Sequence, residues 1–477
     1  MAANYDVVLR GGVVVDGTGK SGYVADVALA DGRIAAIGTL GSGTGAYEID
    51  VSGKVVAPGF IDVHTHDDTE VLNRPAMQAK ISQGVTSVIV GNCGLSAAPH
   101  SSAGALIGAA AHADTEFRSF EEYLDAIRSR PSAVNVAALV GHSSLRACVM
   151  DKIDRVANDS EIGEMRNMLR RALGAGALGV SIGTFYPPAR AATADEIIRI
   201  CEPLRGTRGV LTTHMRDESD GIMSSIEETS VIGRALSVPV VISHHKCAGV
   251  HNHGRSCETL AAIEKMAATM QVGLDVYPYD ATSTMLREDR VRIASHTRIT
   301  HCARYPEVVG RDVEELAKER GVTIEQLCAD LQPAGATYFT LDENDVRRIL
   351  NHDLTMIGSD GVNDQPLPHP RLWGTFPRVL GRYVRDLGLL SLERAVFKMT
   401  GLSARRFGFH ARGELRAGWH ADVTVFDPAS VADNATYEAP TRPSNGIDYV
   451  FTNGVPVWER GQATGRLPGQ LLVPAPR

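Results

Sequence analysis

No apolar run in this 477-residue chain approaches the ~18 residues that a helix needs to cross a bilayer, so a helical membrane protein is not expected. The N-terminus, Met1-Ala2-Ala3-Asn4-Tyr5-Asp6, lacks the basic and apolar regions of a secretory signal. Seven cysteines, at 93, 148, 201, 247, 257, 302 and 328, are odd in number and contain no CxxC, which argues against a disulfide framework. The expected compartment is therefore the reducing cytoplasm. There is also no block of like charge. The 48 basic and 56 acidic residues are interspersed and leave a net charge of −8, which gives no reason to expect nucleic acid or an anionic membrane as partner. HExxH and P-loop strings are absent, so zincin and P-loop readings drop out.

What is present divides into two textures. Residues 5–50 alternate like half-buried antiparallel strands, with Asp31-Gly32 as a hairpin signal. The tail from Gly413 returns to the same texture and carries a second hairpin signal, Asn453-Gly454. Neither end suffices alone, so segments 1–54 and 413–477 are expected to pair into one small β-sandwich. Between them, at 55–412, eight apolar strands are predicted at 55–66, 86–93, 134–142, 177–182, 209–214, 238–244, 272–277 and 353–360. Amphipathic helices are predicted between them at 119–128, 159–173, 193–204, 222–236 and 256–270, the first with a capping box from Ser119 to Glu122. The alternation reads as an α/β fold, a (β/α)₈ TIM barrel. One connection, about 280–352, is far longer than the usual ~2–6 residues and is expected to cover the site.

Barrel enzymes place their chemistry at the C-terminal ends of the strands. Here those ends carry His64 and His66, Cys93, His214, His244 followed by Lys246, Tyr277 and Asp360. Side chains alternate along a strand, so His64 and His66 point to one side. Alone, the pair reads as two hydrogen-bonded histidines leaving a core strand. Histidine, cysteine and aspartate at five of eight strand ends instead predict a metal site. Gly91-Asn92-Cys93-Gly94 reads as a strand-to-loop turn that brings the sulfur to the rim. His142 is expected to be an ordinary satisfied or orienting histidine, and His251 and His253 solvated loop residues.

The stretches Gly59-Phe60-Ile61-Asp62-Val63-His64-Thr65-His66-Asp67-Asp68, Gly91-Asn92-Cys93-Gly94, Thr213-His214-Met215-Arg216-Asp217-Glu218, Ser243-His244-His245-Lys246, Asp275-Val276-Tyr277-Pro278-Tyr279, Ser283-Thr284-Met285-Leu286, Gly358-Ser359-Asp360-Gly361 and Pro368-His369-Pro370-Arg371-Leu372-Trp373-Gly374 carry a resemblance along the full length. The chain resembles the amidohydrolase superfamily, and within it the D-aminoacylases (N-acyl-D-amino-acid deacylases). Strand four, Gly179-Val180-Ser181-Ile182-Gly183, lacks the bridging lysine of hydantoinases and dihydroorotases. The resemblance implies a tight zinc on Cys93, His214 and His244, and a weaker second metal position framed by His64, His66 and Asp360. It further implies Asp360 as general base and then acid. Lys246, Tyr277, Ser283 and Arg371 would bind the α-carboxylate of a small N-acyl-D-amino acid. Ser283-Thr284-Met285-Leu286 looks like the broad enzymes that accept neutral hydrophobic D-residues. Arg287, Arg290 and Arg298 leave acidic D-residues (D-Glu, D-Asp) as an alternative. Another amidohydrolase acting on cyclic amides or dipeptides, or an inactive barrel serving as scaffold, are the rivals.

Overall fold

The protein is described here from a computed structural model covering residues 4–99, 117–363 and 365–474. Its N-terminal strands are β1 (Tyr5–Val14), β2 (Tyr23–Ala30), β3 (Arg33–Gly38), β4 (Gly45–Asp50) and β5 (Val55–Pro58). Asp31 and Gly32 join β2 to β3 at φ 51° and 71°, the left-handed geometry of a two-residue hairpin. Barrel strands follow as β6 (Phe60–Asp62), β7 (Val85–Val90), β8 (Asn135–Gly141), β9 (Gly179–Gly183), β10 (Val210–His214), β11 (Val240–Ile242) and β12 (Val272–Val276). An inserted trio, β13 (Thr282–Met285), β14 (Thr297–Cys302) and β15 (Ala334–Tyr338), precedes the last barrel strand, β16 (Thr355–Ile357). The tail supplies β17 (Val423–Phe426), β18 (Ile447–Thr452), β19 (Val455–Glu459) and β20 (Gln462–Ala463).

Strands β6 to β12 and β16 run parallel in one eight-stranded sheet, in the order β16-β12-β11-β10-β9-β8-β7-β6. Every residue of β7 to β12 is buried, as strands covered on both faces require. The sheet is nearly closed. No ladder joins β16 to β6, but Asp360 N donates to His64 O at 2.8 Å and His66 N to Gly361 O at 3.3 Å. The histidine pair and Asp360 thus meet at the seam of the barrel.

The predicted strand 55–66 is in fact two strands in different sheets. β5 pairs with β1 and with β17, whereas β6 pairs with β7. Gly59 makes the switch, its N–H donating to Asp422 O at 2.9 Å. A Cβ there would stand 2.2 Å from Thr86 Oγ1, so only glycine fits. Through β5 the chain's two ends form one mixed sheet, β20-β19-β18-β17-β5-β1-β2-β3, with β4 beside β1. The sheet curls back on itself, and Ile34 N donates to Trp419 O at 2.8 Å. Leu9, Val27, Leu29 and Ile34 then share a core with Val423, Val425 and Phe451.

The insertion has its own antiparallel sheet, β13-β15-β14, over a separate core that includes Leu286, Ile299, Leu316, Leu327 and Tyr338. These strands were not anticipated, because β13 reads Thr-Ser-Thr-Met with every residue half-buried and shows no alternation. The helix capped by Ser119 is present over Phe120–Ser129, with Ser119 accepting from Glu122 N. Its box is one-sided, since Glu122 accepts from Arg118 N rather than Ser119 N. All seven cysteines are unpaired. Among the described residues no helix is long and apolar enough to cross a membrane.

Candidate metal centre

Four strand ends converge. Ligand atoms of His64, Cys93, His244 and Asp360, all buried, lie within 4.8 Å of one another, and those of His214, Glu218 and His244 form a second such group. Cys93 Sγ is 3.3 Å from both His64 Nε2 and His244 Nε2. His66 stands just outside, its Nε2 3.1 Å from Asp360 Oδ1. All six residues expected as ligands are therefore brought together, His66 by way of Asp360. Glu218 was not anticipated. Its signal is a carboxylate four residues after a ligand-type histidine, which Thr213-His214-Met215-Arg216-Asp217-Glu218 displays.

Backbone packing explains why a cysteine serves and strand four offers nothing. β9 ends at Gly183, in register with His214. A Cβ on Gly183 would sit 2.0 Å from Cys93 O, so no lysine fits there. The loop after β7 fills that space and brings the sulfur with it. Cys93 itself is 1% exposed, deeper than a rim position. Cys93, His244 and Asp360 have φ of 55°, 34° and 50°. Left-handed backbone costs a non-glycine residue about 1–3 kcal/mol and persists where the surroundings over-determine it. Three ligand-type residues share that strain, which marks a geometry held for function.

Two buried carboxylates orient the rings. Asp275 Oδ1 accepts from His244 N at 2.9 Å and lies 3.4 Å from His64 Nδ1. Glu218 Oε1 lies 3.0 Å from His244 Nδ1, and Lys246 Nζ approaches the same nitrogen at 2.7 Å. With Nδ1–H donating to the Glu218 carboxylate, Nε2 is left bare toward Cys93, which is the tautomer a ligating imidazole needs. Lys246 then donates to Glu218, at 2.7 and 2.8 Å.

With the protein's own charges alone, burial disfavours a thiolate at Cys93, but the His64 and His244 rings outweigh it and hold the thiol well below its ordinary range. Burial likewise pushes the Asp360 carboxyl up. Arg371, then His244, overcome this and hold it well below the usual carboxylate range. Burial presses His214 down against the pull of Glu218, leaving a neutral ring.

Three of the four residues expected to bind a carboxylate cluster beside Asp360. Arg371 Nη1 is 2.8 Å from Asp360 Oδ2, and its guanidinium lies 4.5 Å over the Tyr277 ring. Lys246 Nζ is 5.9 Å from the same ring, and the buried Tyr277 hydroxyl has no hydrogen-bond partner. Lys246 is not a free cation, being committed in part to Glu218. Ser283 meets Arg371 through its backbone oxygen, at 3.3 Å. Arg287 and Arg290 lie 4.8 and 4.4 Å over the Phe185 ring, which stacks on His214 at 5.0 Å. They border a cavity of about 620 Å³. Arg298 pairs elsewhere, with Glu438.

His251 and His253 are exposed, as expected of loop residues. His142 departs from expectation. It is fully buried with neither ring nitrogen bonded, it stands 3.9 Å from Glu196, and burial presses it down to about 3. Gly179-Val180-Ser181-Ile182-Gly183 also spells GxSxG, the string of a nucleophile elbow. All five residues lie in β9, and Ser181 is spent on Gly91 O and Gly94 N, so no exposed nucleophile results.

The donor set, one thiolate with imidazoles and carboxylates, suits zinc. Both His214 ring nitrogens are buried without a hydrogen-bond partner, and a metal ion would satisfy one of them. A nearly closed parallel barrel with such a centre at its mouth, beside a sheet made by both chain ends, defines a metal-dependent hydrolase class. The chain belongs to the amidohydrolase family, whose profile matches residues 47–236 and 244–458, and within it to the D-aminoacylases. It is 53% identical to the D-aminoacylase of Alcaligenes xylosoxydans xylosoxydans over 98% of this chain and 97% of that one. A solved D-aminoacylase, studied for its binuclear metal centre with one-metal activation and second-metal attenuation, superposes with a TM-score of 0.96 at 53% identity over 98% of this chain and all of the other. The N-acyl-D-glutamate deacylase of Bordetella bronchiseptica, solved with zinc and a phosphonate that mimics the tetrahedral intermediate, gives 0.95 at 44% identity over 98% and 100%.

Proposed function

We propose that this chain hydrolyses N-acyl-D-amino acids to a carboxylate and a free D-amino acid. The observation that carries the reading is the meeting of Cys93, His214 and His244 with Asp360 and Arg371 at one barrel mouth, in a chain 53% identical to a D-aminoacylase. Cys93, His214 and His244 would hold the tighter zinc, and His64, His66 and Asp360 would frame the weaker position. When bound, zinc lowers the pKa of a water from ~15.7 to about 7 and polarises an amide carbonyl.

The Asp360 carboxylate takes a proton from the attacking water and returns it to the amide nitrogen. A C–O bond forms, the C–N bond breaks, and the amine leaves neutral rather than as an anion. Arg371, the Tyr277 hydroxyl, Ser283 and the remaining donor of Lys246 receive the α-carboxylate. An anchor fixed on one side of the centre selects the D hand, because exchanging hands drives the side chain into the anchor or the wall. Phe185, Tyr186 and Met285 form an apolar wall beside Cys93, which supports neutral hydrophobic D-residues such as methionine or leucine. The stacked Arg287 and Arg290 favour acidic D-residues as a second reading, although Arg287 is already bidentate with Asp289 at 2.8 Å. Gly183 leaves no space for the bridging lysine of cyclic-amide hydrolases, and an inactive scaffold would be expected to lack ligands that this chain has.

Paired libraries of N-acetyl-D- and N-acetyl-L-amino acids test the reading. N-acetyl-D-methionine or N-acetyl-D-leucine should lead, with L forms at least ~100-fold slower in kcat/KM. Equal rates on the two hands would sink it, while a lead for N-acetyl-D-glutamate would overturn only the side-chain preference.

Arg371→Met should raise KM about 10- to 100-fold, the worth of a charge-assisted contact. It should also shift the acid limb of the rate profile. Arg371 depresses the Asp360 carboxyl, so removing it raises that pKa and activity is lost at higher pH. An acid limb that stays in place would show that Arg371 does not set the charge of Asp360.

A further inference from the structure

The seam between β16 and β6 has no ladder of its own, and a buried polar net centred on Lys80 crosses it. Lys80 Nζ donates to Asp62 Oδ2 and to Ser359 Oγ, each at 2.9 Å, and stands 3.2 Å from Asp67 Oδ2. Lys80, Asp62, Asp67 and Ser359 are all 0% exposed. Their places in the chain are informative. Asp62 lies two residues before His64, Asp67 directly follows His66, and Ser359 directly precedes Asp360. The second oxygen of Asp62 accepts from Ser359 N at 2.8 Å and from His64 N at 3.4 Å. Ser359 Oγ in turn accepts from Gly361 N at 3.2 Å. One ammonium therefore joins the backbone on both sides of the histidine pair to the backbone on both sides of Asp360.

A buried charge is a poor device for stability alone, because well-packed apolar groups close a core without its desolvation cost. What an ammonium does, and a methyl cannot, is hold two acceptors by directed hydrogen bonds and draw in a third, Asp67, by charge. Asp360 also needs such control, since it sits in left-handed backbone at φ 50° and faces two histidines from another strand. We propose that Lys80 is a positioning residue for the deacylation. It sets the separation of Asp360 from the histidine pair across the open seam, and touches neither substrate nor reacting atoms. This rests on the reading of Asp360 as the base.

The test uses the zinc-loaded full chain, with kcat, KM, zinc content and melting temperature measured for each variant. Lys80→Met should lower kcat about 10- to 100-fold, the scale of a misplacement near 1 Å, with KM little changed and the tighter zinc retained. Lys80→Arg should recover the melting temperature but not kcat, because a planar fork cannot present its donors to Asp62 and Ser359 from the one point that Nζ occupies. Should Lys80→Met fail to fold, Ser359→Ala keeps the Lys80–Asp62 pair and should lose kcat several-fold while still folding, with a melting temperature only a few degrees lower for the donors left unpaired. Full kcat in Lys80→Met or Ser359→Ala, or kcat that returns with stability in Lys80→Arg, overturns the proposal. Asp360→Asn run alongside separates the two readings. A retained rate there removes the base assignment itself, whereas a lost rate with fully active seam variants removes only the role of Lys80.

Discussion

Asp360→Asn is expected to lower kcat by about 10²- to 10⁴-fold, the range that general acid–base groups supply, while the chain keeps its tighter zinc. Asparagine has the same shape and retains an acceptor oxygen for the histidines, but it cannot take up a proton and hand it on. The carboxylate is placed for that task. Its Oδ1 faces His66 at 3.1 Å and His64 at 3.5 Å, and its Oδ2 faces Arg371 at 2.8 Å. Arg371, then His244, hold its carboxyl well below the usual carboxylate range despite burial, so it is ionised and able to accept a proton at neutral pH. The two steps also depend on each other. Amide hydrolysis stalls without a proton for the leaving nitrogen, and the proton taken from water is the one available in place. Zinc content and single-turnover kinetics decide the matter. An asparagine variant that turns over at the parent rate, with zinc bound, would end the assignment.

The second large effect is expected at Cys93. Cys93→Ala should weaken zinc binding by more than ~100-fold, since removing even an outer partner of a ligand costs up to that much, and activity should fall with it. The sulfur is the shared vertex of the centre, 3.3 Å from two imidazole nitrogens on different strands. Those rings hold its thiol well below the ordinary range, and β9 cannot replace it, because Gly183 has no space for a side chain. Melting curves provide a check that does not depend on turnover. A metal that binds only the folded chain raises its melting temperature, so a chelator should lower that of the parent and leave that of Cys93→Ala where it was. Equal zinc per chain in parent and variant after dialysis would show that the sulfur is not a ligand.

The residues of this centre were largely legible before the structure, because each ends an apolar run and belongs to a type that binds metal. Their partners were less so. Asp275 and Glu218 orient the histidines from within stretches already singled out, yet nothing in a linear reading distinguishes an orienting carboxylate from a solvated one. Lys80 was invisible, since a lysine in a short polar stretch reads as surface until the seam of the barrel closes over it. The insertion's strands were missed for a related reason. Thr282–Met285 packs against β15 with all four residues half-buried, so alternation, the usual trace of a strand, is absent.

What the sequence determined by itself was the alternation of buried strands and amphipathic helices, the β texture of both ends, and the ligand-type residues at the strand ends. These follow from local periodicity and side-chain chemistry, which a linear string carries in full. Tertiary structure alone decided where 55–66 changes sheets, that Lys246 is shared with Glu218, and that Asp360 meets the histidine pair at an unladdered seam. The physical reason is the same in each case. A steric limit at Gly59, an ion pair between residues 28 apart, and a buried ammonium bonded to a hydroxyl 279 residues away are properties of distances that exist only once the chain has closed.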